Sequence, residues 1–196
     1  MKKTLISSIF LLGLSMNQAF AQDLTSGVYV QGDLGYSSLQ LGEEDYYTGN
    51  NKGSFDQRIS LGYAVDSNST SGVSPRIALD YTHFGNATFS DDQYYDATLK
   101  IQSFGISAFA DFKTDSGFTP YIGARLSANH ATISAKAHSY NISYPEWTQS
   151  SVGIGVLGGL QYNFTPNVAV NLGVEYNRLF SDVNQFGSKI GLRYNF

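Results

Sequence analysis

Apolar and polar residues trade places position by position through eight stretches of this chain. Val28, Val30, Leu34 and Tyr36 interleave with Tyr29, Gln31, Asp33 and Gly35. Phe55, Ile59, Leu61, Tyr63 and Val65 interleave with Asp56, Arg58, Ser60 and Gly62, and Ile77, Leu79 and Tyr81 with Arg76, Ala78 and Asp80. The series continues through Phe104–Phe112, Ile122–Ala128, Val152–Phe164 and Val168–Tyr176. It closes with Ile190, Leu192, Tyr194 and Phe196 set between Lys189, Arg193 and Asn195. Period two puts all the apolar side chains of a strand on one face. No stretch has the three-four spacing of a helix, so the pattern predicts an all-β chain of eight antiparallel strands joined by short connections.

Alternation leaves open which face is inside, and composition decides it. Only 14% of residues are charged, against about 25% in soluble domains. The polar face is also crowded with glycine, at Gly35, Gly62, Gly105, Gly123, Gly153, Gly155, Gly159, Gly173 and Gly191. Small residues suit a narrow lumen and do nothing for a watered surface. The expectation is therefore an eight-stranded up-and-down transmembrane β-barrel whose apolar face meets lipid and whose polar lumen is filled by side chains.

The inward charges this assigns are Asp33, Arg58, Arg76, Asp80, Asp111, Arg125, Glu175, Lys189 and Arg193. Charges withdrawn from water must pair, so they are expected to form an internal ion-pair network. A charged pore lining is the competing reading. Aromatic residues near the strand ends (Tyr36, Tyr63, Tyr81, Phe112, Tyr162, Phe164, Tyr176, Tyr194 and Phe196) fit two girdles at the membrane boundaries.

The ends of the chain fit the same picture. Residues 1–21 carry Lys2 and Lys3, an apolar core from Leu5 to Leu14, and Ala19-Phe20-Ala21. That order predicts a cleaved secretory signal peptide, leaving 22–196 as one outer-membrane barrel domain. Without the two lysines the balance is 10 basic against 16 acidic, or −6, which offers nothing to a nucleic acid. There is no cysteine, so no disulfide or thiolate site is available, and no cofactor is expected. The terminal Tyr194 and Phe196 resemble the sorting signal of bacterial outer-membrane barrels, which implies recognition by the barrel assembly machinery.

Connections fall into a short, turn-like set (66–75, 113–120, 163–167) and a longer set (about 39–54, 85–97, 129–150, 177–187). With both termini in the periplasm, the longer set faces the cell exterior. The first two outer loops are acidic and aromatic, and the third holds the chain's single Trp. Exposed rings flanked by polar residues serve protein binding, which makes Tyr46, Tyr47, Phe89, Tyr94, Tyr95, Tyr140, Tyr144 and Trp147 candidate ligand contacts. The plainer alternative is that these rings extend the outer girdle.

Other motifs weaken on inspection. Gly153, Gly155 and Gly158 satisfy a nucleotide-binding spacing, but inside a strand rather than before a helix. His83, His130 and His138 sit in no recognisable Ser or Asp/Glu constellation, so an enzyme is not expected. Glu43, Glu44 and Asp45, or Asp91, Asp92 and Asp96, could hold calcium, although a solvated acidic loop explains them as well.

The segments SFGISAFADFKTDSGFTPYIGARLSANH (103–130), SPRIALDYTHFG (74–85) and KIGLRYNF (189–196) resemble the opacity family of bacterial outer-membrane proteins, most specifically at Pro120–Arg125. The resemblance implies an eight-stranded barrel whose outer loops attach to host-cell receptors. The family is also described as a porin group, which sits uneasily with a filled lumen. This chain departs from the adhesive members in its shorter second and third loops and its acidic first two. Acidic loops repel sulfated polysaccharide, so heparan-type binding does not carry over. The expected role is adhesion or recognition at the cell surface, with outer-membrane lipid, lipopolysaccharide and a host-cell receptor as partners. A small porin-like channel is one alternative. A structural protein contacting lipopolysaccharide through Lys100, Lys136 and Arg178 is the other.

Overall fold

The computed structural model describes residues 26–41, 52–65, 72–91, 95–137, 142–143, 147–181 and 183–196. The expected signal peptide lies outside these residues. Every regular element among them is a strand: β1 (Gly27–Leu41), β2 (Lys52–Ala64), β3 (Val73–Asp91), β4 (Tyr95–Phe112), β5 (Phe118–Ala137), the two-residue β6 (Ile142–Ser143), β7 (Trp147–Asn163), β8 (Val168–Phe180) and β9 (Val183–Asn195). All pairings are antiparallel, in the order β4-β3-β2-β1-β9-β8-β7-β5, and β4 pairs with β5 to close the cylinder. The eight long strands form the barrel, and β6 adds to the outer end of β5. First and last strands pair along thirteen positions, from Tyr29↔Asn195 to Leu41↔Val183. The terminal Phe196 donates its N–H to the Val28 carbonyl at 3.0 Å, so the closure runs to the end of the chain.

Through the wall of the cylinder the faces fall as the alternation demands. Val28, Leu34, Ile59, Leu61, Leu79, Ile122, Val152, Ile154, Leu172 and Ile190 are exposed on the outer surface, while Asp33, Arg58, Asp80, Arg125, Glu175 and Arg193 are buried inside. A water-soluble barrel would show the reverse. Aromatic pairs mark both rims. Tyr81 and Phe104 meet at 4.9 Å on the outer side. Phe118, Tyr162 and Phe164, with Tyr194 and Phe196, meet at 4.8 to 5.2 Å on the side of the termini. On β2 the rims correspond to Phe55 and Tyr63. Eight residues give roughly 27 Å along a strand and about 20 Å along the membrane normal at the usual barrel tilt. That is close to the apolar band of an outer-membrane barrel.

Two of the expected outer loops, 85–97 and 129–150, are largely strand. β3 runs to Asp91, β4 starts at Tyr95, β5 runs to Ala137 and β7 starts at Trp147. The segment 177–187 likewise narrows to residues 181–182 between β8 and β9. The alternation is hard to see there because its sign reverses. Outward-facing Tyr81, Phe104, Ala128 and Val152 form the last apolar rung, and His83, Gln102, His130 and Ser150 form the first polar one. Above it, Asn86, Lys100, Thr132 and Thr148 continue the polar outer face. Inside, the change is opposite, from Ser103 and Asn129 to Ile101 and Ala131. Lipid surrounds the lower strands and water the upper ones, so the apolar side must turn inward above the membrane. β3, β4, β5 and β7 thus rise as a four-stranded wall. Its β7 end, Trp147–Gly153, pairs only with β5, because the β8 pairing begins at Ile154.

Two bulges complete this reversal. On β3 the register shifts between His83 and Asn86, so Phe84 and Gly85 oppose the single Ile101 slot. Gly85 has φ +68°, a left-handed conformation natural to glycine in a bulge. On β8 a shift between Arg178 and Phe180 leaves Leu179 as the extra residue. Both bulges swing large apolar side chains into the barrel mouth.

Candidate functional site

The middle of the lumen is an ion-pair network. The nine charged residues named from the sequence are all buried in the barrel interior, and Asp56 joins them with no exposed surface. Asp56 stands on the polar face of β2 by simple alternation, so its membership was legible and was missed. Among the described residues it brings the interior to five acidic and five basic groups, Asp33, Asp56, Asp80, Asp111 and Glu175 against Arg58, Arg76, Arg125, Lys189 and Arg193. Arg58 reaches Glu175 at 2.7 Å and lies 3.7 Å from Asp80. Arg125 donates to Asp80 through Nε at 3.0 Å and through Nη2 at 2.5 Å. Lys189 bridges Asp56 at 2.5 Å and Glu175 at 3.4 Å. Uncharged groups add to it: Thr82 and Ser107 donate to Asp80, Gln31 to Asp33, and Ser37 to Asp56.

Nearer the termini, arginines and aromatic rings cross the lumen together. Arg76 forms a two-pronged pair with Asp111 at 2.8 and 2.9 Å and stacks 4.0 Å from the Phe109 ring centroid. Arg193 stacks 4.0 Å from Tyr29 and lies 3.9 Å from Asp111. Delocalised guanidinium planes suit such stacking better than an ammonium does. Two cavities of about 40 Å³ each remain in the barrel, with room for about three waters apiece. Arg76 borders the first, and Asp111, the anion it shares with Arg193, borders the second together with Arg193.

Glycine makes the crowding possible. A Cβ on Gly191 would lie 1.9 Å from an Asp33 carboxylate oxygen, and one on Gly105 would lie 2.6 Å from Arg125 Nε. The glycines of the polar face are thus space occupied by lumen side chains, charged beside Gly35, Gly105 and Gly191, and aromatic or amide beside Gly62, Gly123, Gly155 and Gly159.

At the outer mouth the lumen stops being polar. Leu39, Phe84, Ile101, Ala131, Leu179 and Phe180 form a buried apolar plug, with Leu99 and Val183 packed against it. Lys189 Nζ lies 5.8 Å from the Phe84 ring centroid, where network meets plug. Each large plug side chain contributes about 1.5–3 kcal/mol of gross burial free energy. The polar filling expected for the whole lumen therefore holds for its middle and inner end and gives way to apolar packing at the mouth. The clues were two breaks in alternation, Phe84-Gly85 and Leu179-Phe180.

Of the candidate ligand contacts, Tyr46, Tyr47, Tyr94, Tyr140 and Tyr144 lie outside the described residues. Phe89 and Tyr95 belong to β3 and β4, where the register sets Phe89 opposite Ala97 and Asp91 opposite Tyr95. Trp147 opens β7 and is 73% exposed. These three stand on strands, not in loops. Tyr194 and Phe196 pack edge to face at 5.2 Å on the outer surface of β9. His130, which the sequence sets in no recognisable constellation, has a serine beside it: its Nδ1 lies 3.1 Å from Ser150 Oγ across β5 and β7. Among the described residues no carboxylate shares that rung, whose other members are Gln57, His83 and Gln102.

The barrel has known counterparts. The sequence profile described as Opacity family porin protein matches residues 61–196. An uncharacterized protein of Haemophilus influenzae (strain KW20 / Rd) is 42% identical over the full length of both chains. Protein opa of the same organism is 37% identical over 62% of this chain and 93% of its own. Among solved structures, Neisserial surface protein A superposes with a TM-score of 0.68 at 30% identity, covering 87% of this chain and 98% of that one. The attachment invasion locus protein Ail of Yersinia pestis, at 20% identity and a TM-score of 0.52 over 88% and 100% of the two chains, shares the fold. Profile, relatives and barrel agree, and the chain belongs to the Opacity family, as an outer-membrane β-barrel whose loops face the cell exterior.

Proposed function

We propose that this chain is an adhesion or recognition protein of the cell surface, and that it works by protein–protein contact at the outer end of the barrel. One observation carries the reading: above the membrane the polarity of β3, β4, β5 and β7 inverts, so the strands project a wall built for water and for partners. The interior argues in the same direction. Ion pairs and an apolar plug occupy it among the described residues, and the two cavities beside them are about 40 Å³ each. A porin-like role is therefore the weaker reading. Catalysis is disfavoured because no carboxylate among the described residues lies beside His130 and Ser150, and a serine nucleophile needs a base that is itself oriented. Assembly-machinery recognition of Tyr194 and Phe196, and lipopolysaccharide contact by Lys100 and Arg178 on the outer face, belong to the same proposal as accessory interactions.

The test compares host-cell binding by bacteria displaying the intact chain and a version with residues 40–54, 86–96 and 131–150 replaced by short Gly-Ser turns. Loss of binding with retained surface display is expected. Unchanged binding would overturn the reading. Stable single-channel steps from the intact chain in a planar bilayer would favour the porin alternative instead.

A further inference from the structure

The buried charges balance in total but not in place. In the middle of the lumen Arg58, Arg125 and Lys189 face Asp33, Asp56, Asp80 and Glu175, three against four, while at the inner end Arg76 and Arg193 share Asp111. The uncompensated anion can be located. Asp56, Asp80, Asp111 and Glu175 each have a guanidinium or ammonium within 4 Å, and Asp33 has none among the described residues. Arg58 stands opposite Asp33 in the β1–β2 register but sends its guanidinium to Glu175 and Thr82. Lys189 is taken by Asp56 and Glu175. Arg193 is held by Asn195 and Gln161 against the Tyr29 ring. What Asp33 accepts is an amide hydrogen from Gln31 Nε2 at 2.8 Å.

Two further oxygens beside it lack a partner. Gln31 and Asn171 are only 7% and 4% exposed, yet neither Gln31 Oε1 nor Asn171 Oδ1 accepts a hydrogen bond. Donation to Asp33 fixes the Gln31 amide, so Oε1 is its free end. Register sets Asp33, Gly191 and Asn171 on one rung of β1, β9 and β8. A Cβ on Gly191 would fall on the Asp33 carboxylate, so that group leans over the glycine toward Asn171. Asp33, Gln31 and Asn171 border the same cavity of about 40 Å³.

A carboxylate and two amide oxygens, all acceptors, thus converge on one small polar space. Water donates to such oxygens but brings no charge, and a buried anion needs a countercharge or a metal. Oxygen sets of this kind suit hard cations. Calcium draws on several carboxylates, whereas here a single carboxylate is uncommitted and the local deficit is one unit. We infer that Asp33, Gln31 and Asn171 hold a monovalent cation of sodium's size inside the barrel, with water completing its shell. The ion ties β1 to β8 across Gly191 and neutralises the middle of the lumen. It does so whatever the outer end of the barrel binds.

The mature protein, refolded in non-ionic detergent micelles, is unfolded with urea over a series of sodium chloride concentrations, with choline chloride holding ionic strength constant. Choline is too bulky for the cavity. A single site requires the unfolding equilibrium constant to fall about tenfold for each tenfold rise in sodium above the dissociation constant. Asp33→Asn, which keeps the shape of the side chain, should show no sodium dependence, and Asn171→Leu should need at least about tenfold more sodium for the same effect. Electrophoretic migration of the unheated barrels confirms that both variants are folded. Equal wild-type stability in sodium and choline would overturn the inference. If that stability then dropped as pH rose, Asp33 would carry a proton instead; if it did not, water alone would fill the cavity. An undiminished sodium response in Asp33→Asn would place the ion elsewhere, and an unaltered one in Asn171→Leu would remove the amide from the site; either result overturns it too.

Discussion

Removing the Asp80 carboxylate tests the interior most sharply. Asp80 is the hub of the network: Arg125 donates to it at 3.0, 3.2 and 2.5 Å, Arg58 lies 3.7 Å away, and Ser107 donates at 3.1 Å. In Asp80→Ala the interior passes from five against five to a net charge of +1. Arg58 keeps Glu175 at 2.7 Å. Arg125 keeps only the hydroxyls of Ser103 at 3.0 Å and Thr82 at 3.5 Å. A fully buried guanidinium is left without a hydrogen-bonded anion, which costs about 3–5 kcal/mol. In Arg125→Ala, by contrast, Asp80 still faces Arg58 and Ser107, so a smaller loss, about 1–3 kcal/mol, is expected. The double variant restores neutrality and should fall short of the sum of the two singles by about 1–3 kcal/mol. Urea unfolding in detergent micelles, followed by tyrosine and tryptophan fluorescence, measures all three. A loss below about 1 kcal/mol in Asp80→Ala, or additivity within about 0.5 kcal/mol, would refute the claim that these charges stabilise one another as a closed set.

Further expectations rest on separate parts of the molecule. Gly191→Val should sharply lower refolding yield, because its Cβ falls on the Asp33 carboxylate; wild-type yield would show that the lumen has slack. Phe84→Ala, in the plug, should cost about 3–5 kcal/mol, and lipid-facing Phe104→Ala clearly less, both read by the same urea titration; equal costs would deny the plug its role. Ile59→Arg, midway between Phe55 and Tyr63 on the lipid face, should cost about 2–4 kcal/mol, and a neutral outcome would contradict the outward orientation of that face. Deleting Phe196 should reduce outer-membrane assembly in cells more than refolding of the purified chain. If both fall equally, Phe196 acts through the Val28 closure bond alone and not as a sorting signal.

Much of this barrel was written in the order of its residues. A strand has only two faces, so alternation sorts lipid from lumen for Leu61 against Gly62, or Ile190 against Lys189, before any contact is known. Glycine on the polar face announces the crowding, and the low charge content sets the direction of the apolar face. What alternation cannot carry is height along the axis. The environment outside the cylinder changes from lipid to water between the Phe104 and Gln102 rungs, and the rule relating polarity to face changes with it. For that reason Ile133 and Trp147 read as loop from the chain alone, Ile101 belongs to no strand there, and they become wall and plug only when register sets the strands side by side. Pairing of charges is a tertiary fact in the same sense. Arg125 and Asp80 stand 45 positions apart and meet because β3 and β5 curve around β4 into one closed cylinder. Sequence dictates which side chains enter the interior, since that is a local choice between two faces, whereas only closure of the sheet decides which of them touch.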